Sequence, residues 1–324
     1  MTHPNGLQID ALKRAGYNYF WTSRQSVREM AAFAARKALE KANIQEKDIG
    51  FIVAGFSGIP DFIGIDFACQ VGSELHCQWI RTVNLIEGCG SAVTVWRQAA
   101  LLAAELAVGK KGLVVLAQRI SDKHQDRFGL MNAVLSDGAV VAVVGNSVRG
   151  KGQGGFRYIA VEDISDCRYV DMMRIEYGGG FLPLLPKERD SRYDKLGRER
   201  MMENYRFSSA DLIAFLNLRI ENSVNIIRNI IAKSNKRHGI PFLLHTLEGI
   251  QSIEKLCLRT DIPIEKSNLS LLAELGHVGC VDPLLSLQIL TERGVIQLGD
   301  EVVMSTISTG LKWGAALFRY EGEL

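Results

Sequence analysis

Two stretches of this chain carry the same series of signals, and that repetition narrows the fold more than any single residue does. The first runs over roughly residues 48–146, from KDIGFIVAGF to DGAVVAVVGN, and the second over roughly 238–322, from HGIPFLLHTL to WGAALFRYEG. Each opens with a short apolar strand, FIVAG in one and PFLLH in the other. A glycine-marked turn then leads into a helix, GCGSAVTVWRQAALLAAELAVGKKG or GHVGCVDPLLSLQILTERGVIQLGD. Both helices stop at a glycine, the residue that ends a helix without steric cost. The β-branched strands LVVLAQ and EVVMSTIS follow, and the small-residue turns DGA and WGA lead to closing strands VVAVVG and ALFRY. Alternation of strands with amphipathic helices specifies α/β layers around a mostly buried sheet. Its repetition makes the molecule two halves related by a pseudo-twofold.

Apolar residues at three- and four-residue spacing place further helices at 26–44 and near 209–235, one before each block. The chain therefore divides into a first half, residues 1–150, a connecting region, 151–208, and a second half, 209–324. The connecting region holds GKGQGG, YGGG and the charge-dense KERDSRYDKLGRERMMEN. It reads as an irregular, solvated insertion.

Composition excludes several function classes. A net charge of +2 is too small to mark a nucleic-acid binder. No apolar run approaches the roughly 20 residues of a membrane span. The opening MTHPNGLQIDALKRAGYNYF has no charged-then-apolar leader pattern, so the expected location is the cytoplasm. The six cysteines form no CxxC pair, which argues against a disulfide framework or a structural zinc; no metal is expected. The glycine-rich stretches make neither GxGxxG nor a P-loop between strand and helix, so a nucleotide cofactor is not indicated.

The chemistry concentrates at three residues. Cys89, in LIEGCGSAV, follows the strand TVNLI and opens a long helix. A helix N-terminus stabilises thiolate, and the flanking glycines permit a sharp strand-to-helix turn. From position alone the thiol reads equally as a nucleophile or as a small buried hydrophobe. His245 ends the apolar strand PFLLH, which puts it at the sheet edge where open α/β sheets collect reactive groups. In the repeat, His277 of LGHVGC stands opposite Cys89 of EGCGSA. Two halves folded face to face bring Cys89, His245 and His277 toward one pocket. A thiolate there attacks a thioester, and imidazoles bond the developing oxyanion. The backbone N–H of Cys89 and the turn of Thr309 and Gly310 are the candidate oxyanion donors. Asp137 in SDGA reads as a turn residue, and His3, His76, His124 and His238 as surface residues.

These residues and their order resemble β-ketoacyl-acyl-carrier-protein synthase III and its relatives in the thiolase superfamily. The family's nucleophile turn appears as EGCGSAV, its His-Gln-Ala-Asn motif as LLHTLE, its Gly-Asn-Thr-Ser as LGHVGC, its Gly-Asp-Gly-Ala as SDGA, and its closing turn as STGLKWGAALFRY. The likeness covers about residues 25–324. It implies a five-layer αβαβα thiolase fold, a homodimer, and an acyl group passed from coenzyme A or an acyl carrier protein to Cys89, with no permanently bound cofactor. There are departures. His277 replaces the family asparagine, giving a Cys-His-His set similar to that of the elongating ketoacyl synthases. Glu248 replaces a second asparagine and adds a carboxylate near His245, and Lys312 replaces a threonine. The family's first strand is missing. By the same resemblance Arg127, Trp21 and Arg24 are candidate contacts for coenzyme A or the carrier.

The expected function is acyl transfer to Cys89 followed by decarboxylative condensation with a malonyl-type thioester, in specialised metabolism. Transfer of the acyl group to an alcohol or amine is the alternative, with Glu248 making His245 a better base. A non-catalytic partner subunit of a heterodimeric ketosynthase is the third reading; retention of Cys89 and both histidines speaks against it.

Overall fold

The structure, a computed structural model, describes residues 4–322 apart from 131, 147–154, 188–196 and 235–238. His3, His238 and part of the charge-dense stretch lie outside the described residues. In the first half the chain forms α1 (Gly6–Arg14), α2 (Val27–Ala42), β1 (Ile49–Gly58), α3 (Phe67–Glu74), β2 (Arg81–Leu85), α4 (Ser91–Ala104), β3 (Lys111–Arg119) and β4 (Gly138–Val144). It continues through β5 (Phe156–Ser165), α5 (Gly197–Asn204), α6 (Ser209–Ile231), β6 (Phe242–His245) and α7 (Ile250–Thr260). The last elements are α8 (Leu272–Leu275), α9 (Asp282–Glu292), β7 (Glu301–Ser308) and β8 (Lys312–Tyr320).

Local sequence explains the element ends. Both long outer helices begin with a capping box, Ser26 with Glu29 at α2 and Ser208 with Asp211 at α6, which satisfies two orphan N–H groups at each start. Asn43 ends α2 in the left-handed conformation.

The strands make two four-stranded sheets, in the orders β2-β1-β3-β4 and β5-β8-β7-β6. In the first, β1 runs parallel to β2 and β3, and β4 is antiparallel to β3. In the second, β6 is parallel to β7, β7 antiparallel to β8, and β8 antiparallel to β5. The halves correspond strand for strand, β1 with β6, β3 with β7 and β4 with β8. Two strands have no twin among the described ones, β2 beside β1 and β5 beside β8, and β4 has no described strand on its outer side.

Strand alternation builds the layers. On β3, Val114 and Leu116 point to a central core with Val93, Val95 and Trp96 of α4 and Leu284 and Leu287 of α9. Leu113 and Val115 point the other way, onto α2 and α3. On β7, Val302 and Met304 face the same central core, while Val303 and Ile307 face α6 and α7. The order is helices, sheet, helices, sheet, helices, the five-layer arrangement expected. Because α4 and α9 are covered by sheets on both sides, they are apolar nearly all round, and their N-termini meet at the pseudo-twofold.

The connecting region departs from the expectation. Residues 156–165 are a full strand of the second sheet, paired to β8 over its whole length. The alternation in FRYIAVEDIS was hidden behind its glycine-rich approach. Further on, Tyr169, Tyr205 and Phe207 pack around Phe215 of α6, with ring centroids 4.8–6.2 Å apart. Aromatic packing therefore holds much of this region onto the second half.

Candidate active site

Each half ends a loop in the same tight turn. Gly88-Cys89-Gly90 leads into α4 and Gly279-Cys280-Val281 into α9, and each opens on a glycine of positive φ, 56° and 61°. By this geometry the twin of Cys89 is Cys280, and the pairing of His277 with Cys89 read in the sequence is displaced by three residues. Ser91 Oγ accepts the N–H of Glu87 at 3.1 Å, four residues back. Its twin, Asp282 Oδ1, accepts the N–H of Val278 at 2.7 Å, also four back.

The Cys89 turn is pinned from both sides. Ser91 Oγ donates to the carbonyl of Leu85 at 2.8 Å, and Thr306 Oγ1 of β7 donates to the carbonyl of Cys89 at 3.0 Å. Lys312 Nζ lies 2.8 Å from Glu87 and 3.3 Å from Asp163 of β5, tying the residue before the turn to the second sheet. Cys89 itself is partly exposed.

His277 is held as firmly. Its N–H donates to Val134 at 2.7 Å, and its carbonyl accepts from Ser136 N–H and from Gln118 Nε2 at 2.9 and 3.0 Å. Its Nε2 faces the Cys89 sulfur at 3.6 Å, and its Nδ1 lies 2.6 Å from Asp282 Oδ2. Asp282 is fully buried, and its Oδ2 also accepts the N–H of Leu247 at 2.9 Å. Burial opposes charge on His277, but the Asp282 carboxylate and Cys89 outweigh it and hold the imidazole well above its ordinary pKa.

His245 ends β6 as expected and is almost wholly buried. Its Nδ1 lies 2.7 Å from Ser305 Oγ. Burial, then the charges of Arg219 and His277, push its pKa down to about 3, so it is neutral. Cys89 and His277 thus meet directly, and His245 lies within electrostatic reach of His277. Of the proposed oxyanion donors, Thr309 leans on the turn: a Cβ at Gly88 would lie 3.1 Å from its Oγ1, whereas nothing lies within 4 Å of a Cβ at Gly310.

Other expectations fail. Glu248 turns to Arg219 at 3.4 Å, and the strongest charge acting on His245 is the Arg219 cation, so Glu248 does not raise its basicity. Arg127 is 2% exposed, donates to the carbonyl of Leu135 at 2.7 Å and pairs with Asp137 at 3.1 Å. Its guanidinium is spent inside the fold and is closed to a coenzyme. The Asp137 carboxylate, read as a turn residue, also accepts the N–H groups of Ile120 and Ser23 and so fastens three segments. Trp21 and Arg24 are exposed, and the Trp21 indole donates to the carbonyl of Glu274 at 2.9 Å. Among the described residues no cluster of three His, Cys, Asp or Glu side chains is placed to hold a metal ion. No described helix is long and apolar enough to cross a membrane.

Sequence reading missed Asp282. Its signal, an acid five residues after a histidine and next to a proline, is also that of an ordinary helix start.

Residues 235–320 match the family described as 3-oxoacyl-[acyl-carrier-protein (ACP)] synthase III C terminal. The chain is 23% identical over 299 residues to β-ketoacyl-[acyl-carrier-protein] synthase III of Sulfurovum sp. (strain NBC37-1), covering 91% of this chain and 82% of that protein. It is 26% identical over 295 residues to the protein of the same name from Bacillus pumilus, covering 90% and 82%. Among solved structures it matches the acyltransferase ChlB3 with a TM-score of 0.77 at 17% identity, over 93% of this chain and 86% of that one. It matches 3-oxoacyl-(acyl carrier protein) synthase III from Pseudomonas aeruginosa PAO1 with a TM-score of 0.73 at 18% identity, over 98% and 90%.

Proposed function

We propose that the chain, similar over nine-tenths of its length to β-ketoacyl-[acyl-carrier-protein] synthase III proteins, is an enzyme of that kind which takes an acyl group from a coenzyme A or acyl-carrier thioester onto Cys89 and passes it to an alcohol or amine. The observation that carries this reading is the Cys89–His277–Asp282 chain of contacts, 3.6 and 2.6 Å long.

In this reading His277 takes the Cys89 proton, and the sulfur attacks the thioester carbonyl. The oxyanion is held by the backbone N–H groups of Cys89 and Gly310, beside Thr309. Collapse expels the donor thiolate, which leaves with the proton from His277 Nε2. The imidazole is then neutral. Asp282 keeps the remaining proton on Nδ1, so Nε2 carries a bare lone pair. That lone pair removes the proton of an incoming O–H or N–H as the acceptor attacks the acyl carbon. Departure of the Cys89 sulfur restores the starting pair. An acyl carrier protein or coenzyme A is the donor partner, and the assembly is a homodimer in the cytoplasm.

Decarboxylative condensation is the second reading, favoured by one observation. Neutral His245, bonded at Nδ1 to Ser305, can present Nε2–H to an enolate. A fixed Nδ1–H on His277 supplies no second neutral donor, and this ranks condensation below transfer. Intact-mass spectrometry after incubation with acyl-CoA and acyl-carrier donors tests both. An adduct on Cys89 that is discharged by alcohols or amines supports transfer. Discharge by malonyl thioesters alone replaces it with condensation, and no adduct with any donor removes both.

A further inference from the structure

We propose that the same site hydrolyses its acyl-enzyme when no acceptor is bound, so that the chain is also a thioesterase for acyl-CoA or acyl-carrier substrates. The inference rests on the reading above that Cys89 becomes acylated, and it adds an activity to it.

The base does not distinguish one small O–H from another. With Nδ1–H committed to Asp282 at 2.6 Å, Nε2 faces the sulfur at 3.6 Å and accepts a proton from whatever nucleophile stands over the acyl carbon. A site built to keep water from a thioester surrounds it with apolar side chains, whereas this turn has polar side chains packed against it. A Cβ at Gly90 would lie 2.9 Å from Ser308 Oγ, and one at Gly88 3.1 Å from Thr309 Oγ1. Thr306 Oγ1 bonds the Cys89 carbonyl at 3.0 Å. The nucleophile turn thus has three hydroxyl side chains against its backbone, and the thiol it carries is partly exposed to water. The step balances. Water loses a proton to His277 Nε2 and adds to the acyl carbon. The carbon–sulfur bond breaks, a carboxylic acid leaves, and Cys89 and His277 share the proton as at the start.

The test loads the wild-type chain with butyryl-CoA, removes the donor, and follows the Cys89 adduct by intact mass in water enriched in oxygen-18. The expected result is decay of the adduct with one labelled oxygen in the released butyrate. In H277N the base is lost and in D282N its Nδ1 proton is no longer held, while the thiol remains in both, and the adduct should persist on the order of 100-fold longer or more. If circular dichroism shows D282N misfolded, H277N carries the comparison, since its side chain is the family's own. A wild-type adduct as durable as that of the folded variants overturns the inference and leaves Cys89 acylation standing. Failure to form any adduct overturns both.

Discussion

Neutral His245 ought to make the fold sensitive to acid in a way that can be subtracted out. Burial, with help from the charges of Arg219 and His277, sets its folded pKa at about 3, against about 6.5 in an unfolded chain. The folded value is the lower one, so between the two the unfolded state binds the proton and the native state does not. Stability therefore falls as pH drops from about 6.5 toward 3 and is recovered above 6.5. The slope reaches about 1.4 kcal/mol per pH unit, and integration from pH 6.5 to 4.5 gives a loss of about 2 kcal/mol. His277 does not obscure this. Its folded pKa is raised, so its contribution is fully present below about 6.5 and is lost only as pH rises through the higher folded value. In H245Q the titrating group is gone while the carboxylates are unchanged. Urea unfolding of wild type and H245Q at pH 6.5, 5.5 and 4.5 should show the wild type losing about 2 kcal/mol more over the series. Parallel losses in the two proteins would mean that His245 accepts a proton in the folded state, and the case for a neutral hydrogen-bond donor within reach of His277 would fall with it.

Three further substitutions probe the supports of the site. In G279A a Cβ would lie 1.9 Å from Gln118 Oε1 at a φ of 61°, so Gln118, which holds the His277 carbonyl, must move. Urea unfolding should show a loss of about 2–4 kcal/mol, together with slower loading of Cys89. R127M strands Asp137 in the interior and should cost about 3–5 kcal/mol by the same measurement. It should leave the ratio of KM values for acyl-CoA and acyl-pantetheine unchanged, whereas a rise in that ratio would restore Arg127 as a nucleotide contact. K312T removes the cation between Glu87 and Asp163, which are partly exposed, and should cost about 1 kcal/mol in melting experiments. Slower alkylation of Cys89 by iodoacetamide would accompany it, with partial recovery in the double variant E87Q/K312T.

Much of the fold was legible because it is written twice. The strand-turn-helix-strand series around EGCGSAV and LGHVGC gave the halves, their sheets and the central helices. Register and periodicity located Cys89 and His245 at the right edges. The errors have a common origin in tertiary pairing. Whether Arg127 meets a coenzyme or Asp137 depends on where residues 120–137 cross the chain, and nothing local encodes that. Glu248 follows His245 by three residues but turns to Arg219, far away in number on α6. The strand β5 lay beyond a glycine-rich run that reads as loop on its own. Asp282 escaped because a helix start explains an acid before proline equally well.

That double duty of Asp282 bears on how such a site arises and gives it a sharp test. The two halves brace the turns before α4 and α9 by the same device, a side-chain oxygen on the first helical residue that accepts the N–H four residues earlier. Ser91 does this with its single oxygen, bonding Glu87 N–H at 3.1 Å. Asp282 does it with Oδ1 at 2.7 Å and has Oδ2 to spare, which holds both Leu247 N–H and the His277 ring. The carboxylate is thus a turn brace with one additional oxygen, and D282S would reduce it to what its twin already is. Ser91 demonstrates that a serine hydroxyl fits such a turn, so the bond to the Val278 N–H should survive and the chain should fold. The buried N–H of Leu247 loses its acceptor, at about 1–3 kcal/mol in urea unfolding. With Nδ1 no longer committed, Nε2 of His277 carries a proton in part of the population, and discharge of acyl-Cys89 to an amine should slow on the order of 1000-fold or more. A folded D282S that discharges its acyl group at the wild-type rate would mean that Oδ2 is only structural and that His277 needs no carboxylate to act as a base.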